Sequence, residues 1–238
     1  MAQDFVGSNN LNLFTPNGAF GTRRMGGKDA ASARYIFTQL SPIIPFLFRK
    51  EDLPILRQAE DDGHLVEPVF YVPILPMILI NGGEGIGTGY STFVPCYNPE
   101  SIADQLEALI KSDGAADLPI LHPWYQGFKG KINRINSSAF ETLGKFEVLD
   151  SDRILITELP VGIWTQNYKE FLEGMVADDP KKPKKKQILA EYRNDSDDFG
   201  IKIEVTFLPG ELKKLIKQRK MVKTLRLSKR INLSNIHL

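Results

Sequence analysis

Cysteine, histidine and long apolar runs are all scarce in this sequence of 238 residues. Its one cysteine, Cys96, cannot form an internal disulfide, and the three histidines are too scattered to build a metal cluster with it. The longest apolar run, at residues 69–80, contains Pro73 and Pro76 and is much shorter than the roughly 20 residues of a membrane span. No secretory signal is recognisable at the start. We therefore expect an intracellular, reducing compartment and no membrane span.

The charges are unevenly distributed, although the net charge is only +1. Residues 212–238 contain nine basic residues and no acidic one, which leaves 21 basic against 29 acidic residues in the rest of the chain. A basic end on an acidic body favours a polyanionic partner. A solvated helix face is the simpler interpretation of the charge alone.

The hydrophobic pattern indicates helices and strands in no regular alternation, which predicts an α+β fold. Asn98 before Pro99 is a strong helix start, with Asn as the cap and Pro at the first helical position. Residues 201–207 alternate between apolar and polar side chains, as a half-buried strand does. Further helices are predicted at residues 30–40, 165–176 and 209–220, further strands at residues 131–135, 153–156 and 222–227, and extended or loop structure at residues 69–80 and 82–89.

Two glycine clusters look like nucleotide-binding loops, but neither has the full pattern. Lys28 follows a glycine, yet Thr22 stands where a phosphate loop needs its first glycine. Residues 83–88 contain two of the glycines of a dinucleotide fingerprint, with Thr88 in place of the third. The acidic clusters at residues 61–62 and 195–198 are more typical of surface loops than of metal sites. The sequence therefore predicts no nucleotide site and no metal site in this chain.

The pair formed by Arg34 and Tyr35 follows a basic, glycine-rich stretch at residues 21–29. A tyrosine hydroxyl can attack a phosphodiester and hold the phosphate covalently. Because a free tyrosine ionises only at about pH 10, it needs a base, a metal ion or cationic neighbours for this. Arg34 would stabilise the charge on the phosphorane with its fork of donors. From the residues alone, packing of Tyr35 on a helix is the simpler interpretation.

Essentially the whole chain closely resembles eukaryotic DNA topoisomerase II, a type IIA topoisomerase. The blocks around Tyr35 and Ile86 are the most specific. The matching segments are residues 9–13 (NNLNL), 17–23 (NGAFGTR), 26–37 (GGKDAASARYIF), 67–68 (EP), 71–78 (YVPILPMI), 84–89 (EGIGTG), 156–160 (ITELP), 164–165 (WT) and 232–238 (NLSNIHL).

The resemblance implies that Tyr35 is the nucleophile, which cuts one DNA strand and keeps a 5′-phosphotyrosyl link. It implies that Arg34 stabilises the transition state and that Ile86 enters between base pairs and helps to bend the DNA. An aliphatic wedge suits that role, because the cost of unstacking is offset by the extra protein surface that bent DNA contacts. Gly85 and Gly87 would let the backbone come close to the duplex. Without the resemblance, burial in a turn is the simpler interpretation of Ile86.

The resemblance also implies an ATP-dependent enzyme that passes one duplex through a transient break in another. Residues 1–73 resemble the C-terminal part of a winged-helix domain, and residues 74–238 resemble a tower domain. ATP and Mg²⁺ would be bound by domains outside this chain, so the isolated chain is expected to be inactive. The enzyme would be a nuclear homodimer acting on double-stranded DNA. The cations expected to contact DNA are Arg23, Lys28, Arg226, Lys229 and Arg230.

Two other interpretations are compatible with some of these features. One is a non-catalytic DNA-binding module, which the chain would be in isolation. The other is a tyrosine recombinase, but that class needs an Arg-His-Arg cluster upstream of its tyrosine, and no histidine precedes Tyr35. The basic run at residues 181–186 (KKPKKK) lies where the resemblance places a tower loop. It is either a nuclear localisation signal or a solvated loop.

Overall fold

The computed structural model describes residues 1–178 and 187–237, so the basic run at residues 181–186 lies outside the described residues. No helix within the described part is long and apolar enough to cross a membrane. The α-helices are Ile44–Leu47 (α1), Met77–Asn81 (α2), Pro99–Lys111 (α3), Thr165–Glu173 (α4), Glu211–Lys217 (α5) and Met221–Thr224 (α6), and 3₁₀ turns cover Ala33–Tyr35 and Lys50–Ile55. The strands are Gln58–Asp61 (β1), His64–Pro68 (β2), Gly83–Ile86 (β3), Ser91–Val94 (β4), Lys131–Asn136 (β5), Ala139–Leu143 (β6), Lys145–Val148 (β7), Arg153–Glu158 (β8), Leu189–Asn194 (β9), Ile203–Phe207 (β10) and Ser228–Asn232 (β11).

The strands pair antiparallel in four small sheets. One sheet has the order β7-β8-β10-β9 and another the order β11-β6-β5, while β1-β2 and β3-β4 form separate hairpins. The helices lie between these strands without a repeated βαβ unit. This mixed order confirms the α+β class predicted from the sequence.

The main core lies between the four-stranded sheet and helices α4 and α5. The alternation predicted at residues 201–207 is present, since Ile203, Val205 and Phe207 are buried on one face of β10. Tyr168 of α4 is also buried there, and its hydroxyl donates a hydrogen bond to the carbonyl of Leu225 at 2.8 Å. A buried phenol with a partner adds specificity to an otherwise apolar core.

Asparagines near the start of the chain tie residues 1–14 to the larger body. The Asn10 amide donates to the carbonyls of Tyr97 and Trp124, and its oxygen accepts from the Gln126 backbone N–H. The Asn81 side chain pairs in the same way with both backbone groups of Leu11. These contacts fix an irregular segment by satisfying its polar backbone.

Helix α3 begins as the sequence predicts. The Asn98 side chain accepts hydrogen bonds from the backbone N–H groups of Glu100 and Ser101, and Pro99 occupies the first helical position. Helix α4 confirms a second predicted helix, which ends at Glu173 rather than at Val176.

The helix predicted at residues 30–40 is wrong, because only the turn Ala33–Tyr35 is helical. Phe37 and Leu40, which suggested an apolar helix face, are exposed and have no core to cover. Helical spacing stabilises a short helix only when its apolar face is buried. The chain instead extends after Tyr35, and Leu40 forms a β-bridge with Phe14.

Three other local predictions are wrong. Residues 82–89 contain β3 rather than only a loop, because β4 supplies backbone partners for it. The segment predicted as extended at residues 69–80 includes the start of α2 at Met77. Residues 222–227 contain the end of α6, where Met221 and Leu225 bury their side chains at helical spacing, and the last strand starts only at Ser228.

A buried ion pair joins the glycine-rich stretch near Tyr35 to the end of β8. Arg23 and Glu158 are 4% and 2% exposed, and one Arg23 Nη contacts a carboxylate oxygen of Glu158 and the carbonyl of Leu159. The same carboxylate accepts the backbone N–H groups of Lys129 and Leu159. The expectation that Arg23 contacts DNA is therefore corrected, since its guanidinium is enclosed by protein partners.

We expect Glu158→Gln to lower the free energy of unfolding by about 3 to 5 kcal/mol, because it leaves the Arg23 cation buried without a counter-charge. Urea unfolding of both proteins measures the difference. The matched control is Glu147→Gln, which breaks an exposed contact with Lys145 at 3.7 Å and should cost less than about 1 kcal/mol. A loss for Glu158→Gln as small as that of the control would contradict the structural role of the pair.

Candidate functional site

Tyr35 presents its phenol to solvent. Its side chain is 74% exposed, at the end of the 3₁₀ turn whose backbone bond joins the Tyr35 N–H to the Ser32 carbonyl at 2.9 Å. The turn is short because Ile36 already has extended backbone angles. A bulky external group such as a phosphodiester can therefore reach the hydroxyl without displacing protein.

Arg34 lies beside the tyrosine ring. Its guanidinium carbon is 5.9 Å from the centre of the Tyr35 ring, within the range of a cation–π contact. The Arg34 side chain is exposed, and no ion pair or hydrogen bond of its guanidinium occurs among the described residues. Its donors remain available for an anion bound at Tyr35, as the sequence predicts for an arginine that stabilises a phosphorane.

The stretch before the turn is closed into a loop by Thr22 and Asp29. Thr22 donates to the Asp29 carboxylate from its backbone N–H and its hydroxyl, and the Gly27 N–H donates to the Thr22 carbonyl at 3.0 Å. Partial burial opposes ionisation of Asp29, but the hydrogen bonds from Thr22 outweigh it and lower the pKa of Asp29. Lys28 is exposed on this loop, where a phosphate can reach it.

The same loop is seated on Trp164, next to α4. Gly26 has a φ of +63°, and a Cβ there would come within 2.3 Å of the indole ring. Only glycine combines this backbone conformation with so close an approach. The Gln166 N–H also donates to the Arg24 carbonyl at 2.9 Å. The loop that precedes Tyr35 is thus held by an aromatic platform as well as by the buried Arg23.

Ile86 is 90% exposed at the end of β3. Strands β3 and β4 pair from Gly83 with Val94 to Ile86 with Ser91, and the Gly87 N–H donates to the Tyr90 carbonyl at 2.8 Å to close the hairpin. The burial in a turn that the residue pattern favours is therefore not observed. An isoleucine held this far out of the core has the shape expected of a wedge.

The basic residues near the end of the chain have three different surroundings. The guanidinium of Arg226 lies 4.4 Å over the ring of Phe171. The ammonium of Lys229 donates to the Gly162 carbonyl at 3.1 Å; burial lowers the pKa of Lys229, and the charge of Glu84 opposes that shift. Arg230 is exposed, and its side chain has no ion pair or hydrogen bond in the part of the chain that the structure describes.

An open cleft brings several of these features together. Its volume is about 600 Å³, and it lies between the base of the Ile86 hairpin, β11 and Trp164. Glu84 and Phe93 of the hairpin face it together with Lys229 and Arg230. The structure therefore places two predicted DNA-contacting cations beside the predicted wedge. Tyr35 and Arg34 do not line this cleft.

The described residues offer no site for a divalent metal. No group of three or more acidic, histidine or cysteine side chains capable of holding an ion occurs at residues 1–178 or 187–237. The side chain beside the Tyr35 ring is the cation Arg34. Residues described here therefore do not fit a Mg²⁺ ion.

The sequence reasoning missed the residues that support the site. Glu158 and Trp164 each belong to a segment of the resemblance, yet neither has a local pattern that predicts its partner in the loop at residues 22–29. Thr22 and Asp29 could have been found, because they bracket a run that contains Gly26 and Gly27 and such runs form closed turns.

A family model for the A-type polypeptide of DNA gyrase/topoisomerase IV matches residues 1–238. DNA topoisomerase 2 of Bombyx mori is 46% identical over 216 residues, which are 90% of this chain and 13% of that protein. DNA topoisomerase 2 top-2 of Caenorhabditis elegans is 44% identical over 233 residues, 98% of this chain and 15% of that protein. The chain thus spans only a small part of these relatives.

A solved structure is similar along nearly the whole fold. The crystal structure of the Plasmodium falciparum topoisomerase II DNA-binding, cleavage and re-ligation domain superimposes with a TM-score of 0.89 at 40% identity, covering 99% of this chain and 31% of that chain. The family match, the identities and the shared fold agree along the chain. This chain belongs to the DNA gyrase/topoisomerase IV family, in its A-type branch.

Proposed function

We propose that this chain supplies the DNA-cleaving tyrosine of a type IIA DNA topoisomerase. The observation that carries the proposal is the exposed phenol of Tyr35 beside the unpaired guanidinium of Arg34. The similar Plasmodium falciparum structure is described as a DNA-binding, cleavage and re-ligation domain, which supports the same assignment here.

In the proposed reaction, the Tyr35 oxygen attacks a backbone phosphorus of double-stranded DNA. An O–P bond forms to the tyrosine, the phenolic proton is released, and the 3′ oxygen of the neighbouring nucleotide leaves with the electrons of the broken bond. The result is a 5′-phosphotyrosyl link, and attack by the freed 3′ hydroxyl reverses the step. Arg34 stabilises the negative charge that develops on the phosphoryl oxygens.

Ile86 is proposed to enter the duplex between base pairs. Its 90% exposure at a hairpin end supports this, since a wedge must reach past the protein surface. Lys28 and Arg230 are the exposed cations best placed to hold the phosphate backbone, with Lys229 and Arg226 contributing less because of their protein contacts.

Residues 1–73 are proposed to be the C-terminal part of a winged-helix domain, and residues 74–238 a tower domain. Between residues 40 and 74 the chain exposes many large apolar side chains, which a folded domain normally buries. The remainder of the winged-helix domain is the proposed cover. These exposed residues are Leu40, Phe46, Leu53, Ile55, Leu65, Val66, Val69, Phe70, Tyr71, Val72 and Ile74.

In the whole protein we propose a nuclear homodimer that couples strand passage to ATP. The ATP site and the Mg²⁺ ligands would come from other parts of that protein. Magnesium would supply charge stabilisation at the scissile phosphate.

Replacing Tyr35 by Phe in the full-length protein should abolish covalent DNA adducts and leave DNA affinity nearly unchanged, because only the attacking hydroxyl is lost. Trapping with SDS measures the adducts, and fluorescence anisotropy measures the affinity. Tyr71→Phe, at another exposed tyrosine, is the matched control and should form adducts normally. Adducts that persist in the Tyr35 variant would show that the nucleophile lies elsewhere.

The isolated 238-residue chain should neither cleave nor relax supercoiled plasmid in the presence of Mg²⁺, because its described residues do not fit the ion. Agarose gels of plasmid incubated with the purified chain test this. The Tyr35→Phe version of the chain identifies contaminating nuclease. Cleavage that requires Tyr35 would refute the prediction.

Arg230→Ala should reduce the slope of log K against log salt by about 0.9, because one phosphate contact and its released counterion are lost. Adding Arg226→Ala and Lys229→Ala should bring the total reduction to roughly 2 to 3. Anisotropy titrations at several salt concentrations measure the slopes. Lys111→Ala, at a lysine paired with Glu107 on α3, is the control. An unchanged slope in the triple variant would favour a solvated face instead.

A further inference from the structure

The hairpin that carries Ile86 is a poor structure by itself. It has two strands, and β3 has the sequence Gly-Glu-Gly-Ile, in which two of four residues are glycine. Two-stranded hairpins are at best marginally stable in water, and glycine weakens a strand further. A hairpin that must push an isoleucine into a base stack needs support from outside its own two strands.

That support comes from the last described residues of the chain, 233–237. They run along the free side of β4, opposite β3. The Phe93 N–H donates to the Asn235 carbonyl at 2.8 Å, and the Asn235 amide donates to the Ser91 hydroxyl at 3.0 Å. The His237 ring meets the edge of Tyr90 with their centres 6.1 Å apart. The segment therefore contacts β4 from near its end at Val94 to the turn.

Thr92 is the centre of these contacts. Its hydroxyl accepts the His237 N–H and donates to the His237 carbonyl, both at 2.9 Å. One side chain thus satisfies both backbone groups of one residue, as a neighbouring strand would. The Thr92 methyl lies beside Gly85 of β3, where an added Cβ would come within 3.3 Å of it. Thr92 therefore touches both the segment behind the hairpin and the strand that ends in Ile86.

The segment is in turn anchored in the body of the protein. The Leu233 N–H donates to the Ser138 carbonyl at 2.8 Å, directly after Asn232 pairs with Ala139 at the end of β11. Leu233 also packs against the core that contains Phe140. A contact path thus runs from a buried core through residues 233–237 to β4.

We propose that residues 233–237 are a brace that fixes the direction of the Ile86 hairpin, with Thr92 and Asn235 as its positioning residues. The proposal rests on the wedge role of Ile86 given above. Without the brace, the hairpin would yield when Ile86 meets the base stack, and the DNA would stay straighter. With it, the cost of unstacking is met by contacts that are already formed in the free protein.

The test is DNA bending by the full-length protein. A duplex of about 30 base pairs, short compared with the persistence length of about 150 base pairs, carries a donor and an acceptor dye at its two ends. Energy transfer gives the ratio of bent to straight DNA at saturating protein. Thr92→Val removes both hydrogen bonds and keeps the side-chain shape, so that ratio should fall about fivefold to tenfold.

Matched variants separate positioning from general damage. Thr92→Ser retains the hydroxyl and should bend DNA as the unmodified protein does. Thr206→Val, at a half-buried threonine of β10, should also leave bending unchanged. Asn235→Ala removes the single bond to Ser91 and should have a smaller effect than Thr92→Val. Hydrogen exchange of residues 83–94 in the free protein should accelerate in Thr92→Val and stay slow in Thr92→Ser.

Ile86→Ala distinguishes the two proposals. If Ile86→Ala reduces bending while Thr92→Val bends DNA normally, the brace is wrong and the wedge stands. If Ile86→Ala bends DNA normally, the wedge role fails, and the positioning role of the brace fails with it. Loss of bending in Thr92→Ser equal to that in Thr92→Val would also overturn the brace, because the hydroxyl would then not be its active group.

Discussion

The ion pair between Arg23 and Glu158 is the contact on which the position of the tyrosine segment depends. A guanidinium buried this deeply requires a counter-charge, and Glu158 is held for that purpose by the backbone N–H groups of Lys129 and Leu159. Glu158 belongs to the four-stranded sheet, so the sheet fixes the loop in space. Trp164 then supports the loop from below at Gly26.

Motifs in the sequence predicted the proposed reactive groups better than the scaffold around them. Tyr35, Arg34 and Ile86 lie in segments whose residue order is specific, and the structure exposes all three. The capped start of α3 and the alternation in β10 were predictable because each depends on neighbouring residues only. The burial of Arg23 was not, since its partner is 135 positions away. The exposed face of residues 30–40 misled for a related reason: helical spacing says nothing about whether a core exists to receive it.

The cationic residues show how little formal charge says about a binding surface. Arg23 is enclosed, Arg226 lies over an aromatic ring, Lys229 bonds a carbonyl, and Arg230 is unpaired among the described residues. Equal charges therefore differ in how readily they can exchange a protein partner for a phosphate. The acidic residues of the body keep the field concentrated at the few cations that remain unpaired.

The turn that carries Tyr35 is fastened on both sides and free between them. The Ala31 N–H donates to the Ala19 carbonyl and the Thr15 N–H donates to the Gln39 carbonyl, whereas the two backbone bonds described for residues 32–37 are local. In the proposed covalent state the DNA end hangs from this turn, so any tension on the duplex is carried by the backbone to those two fastenings. Mechanical load then reaches the sheet through the loop at residues 22–29 rather than through the tyrosine ring, and the reactive segment can shift locally while the break is held.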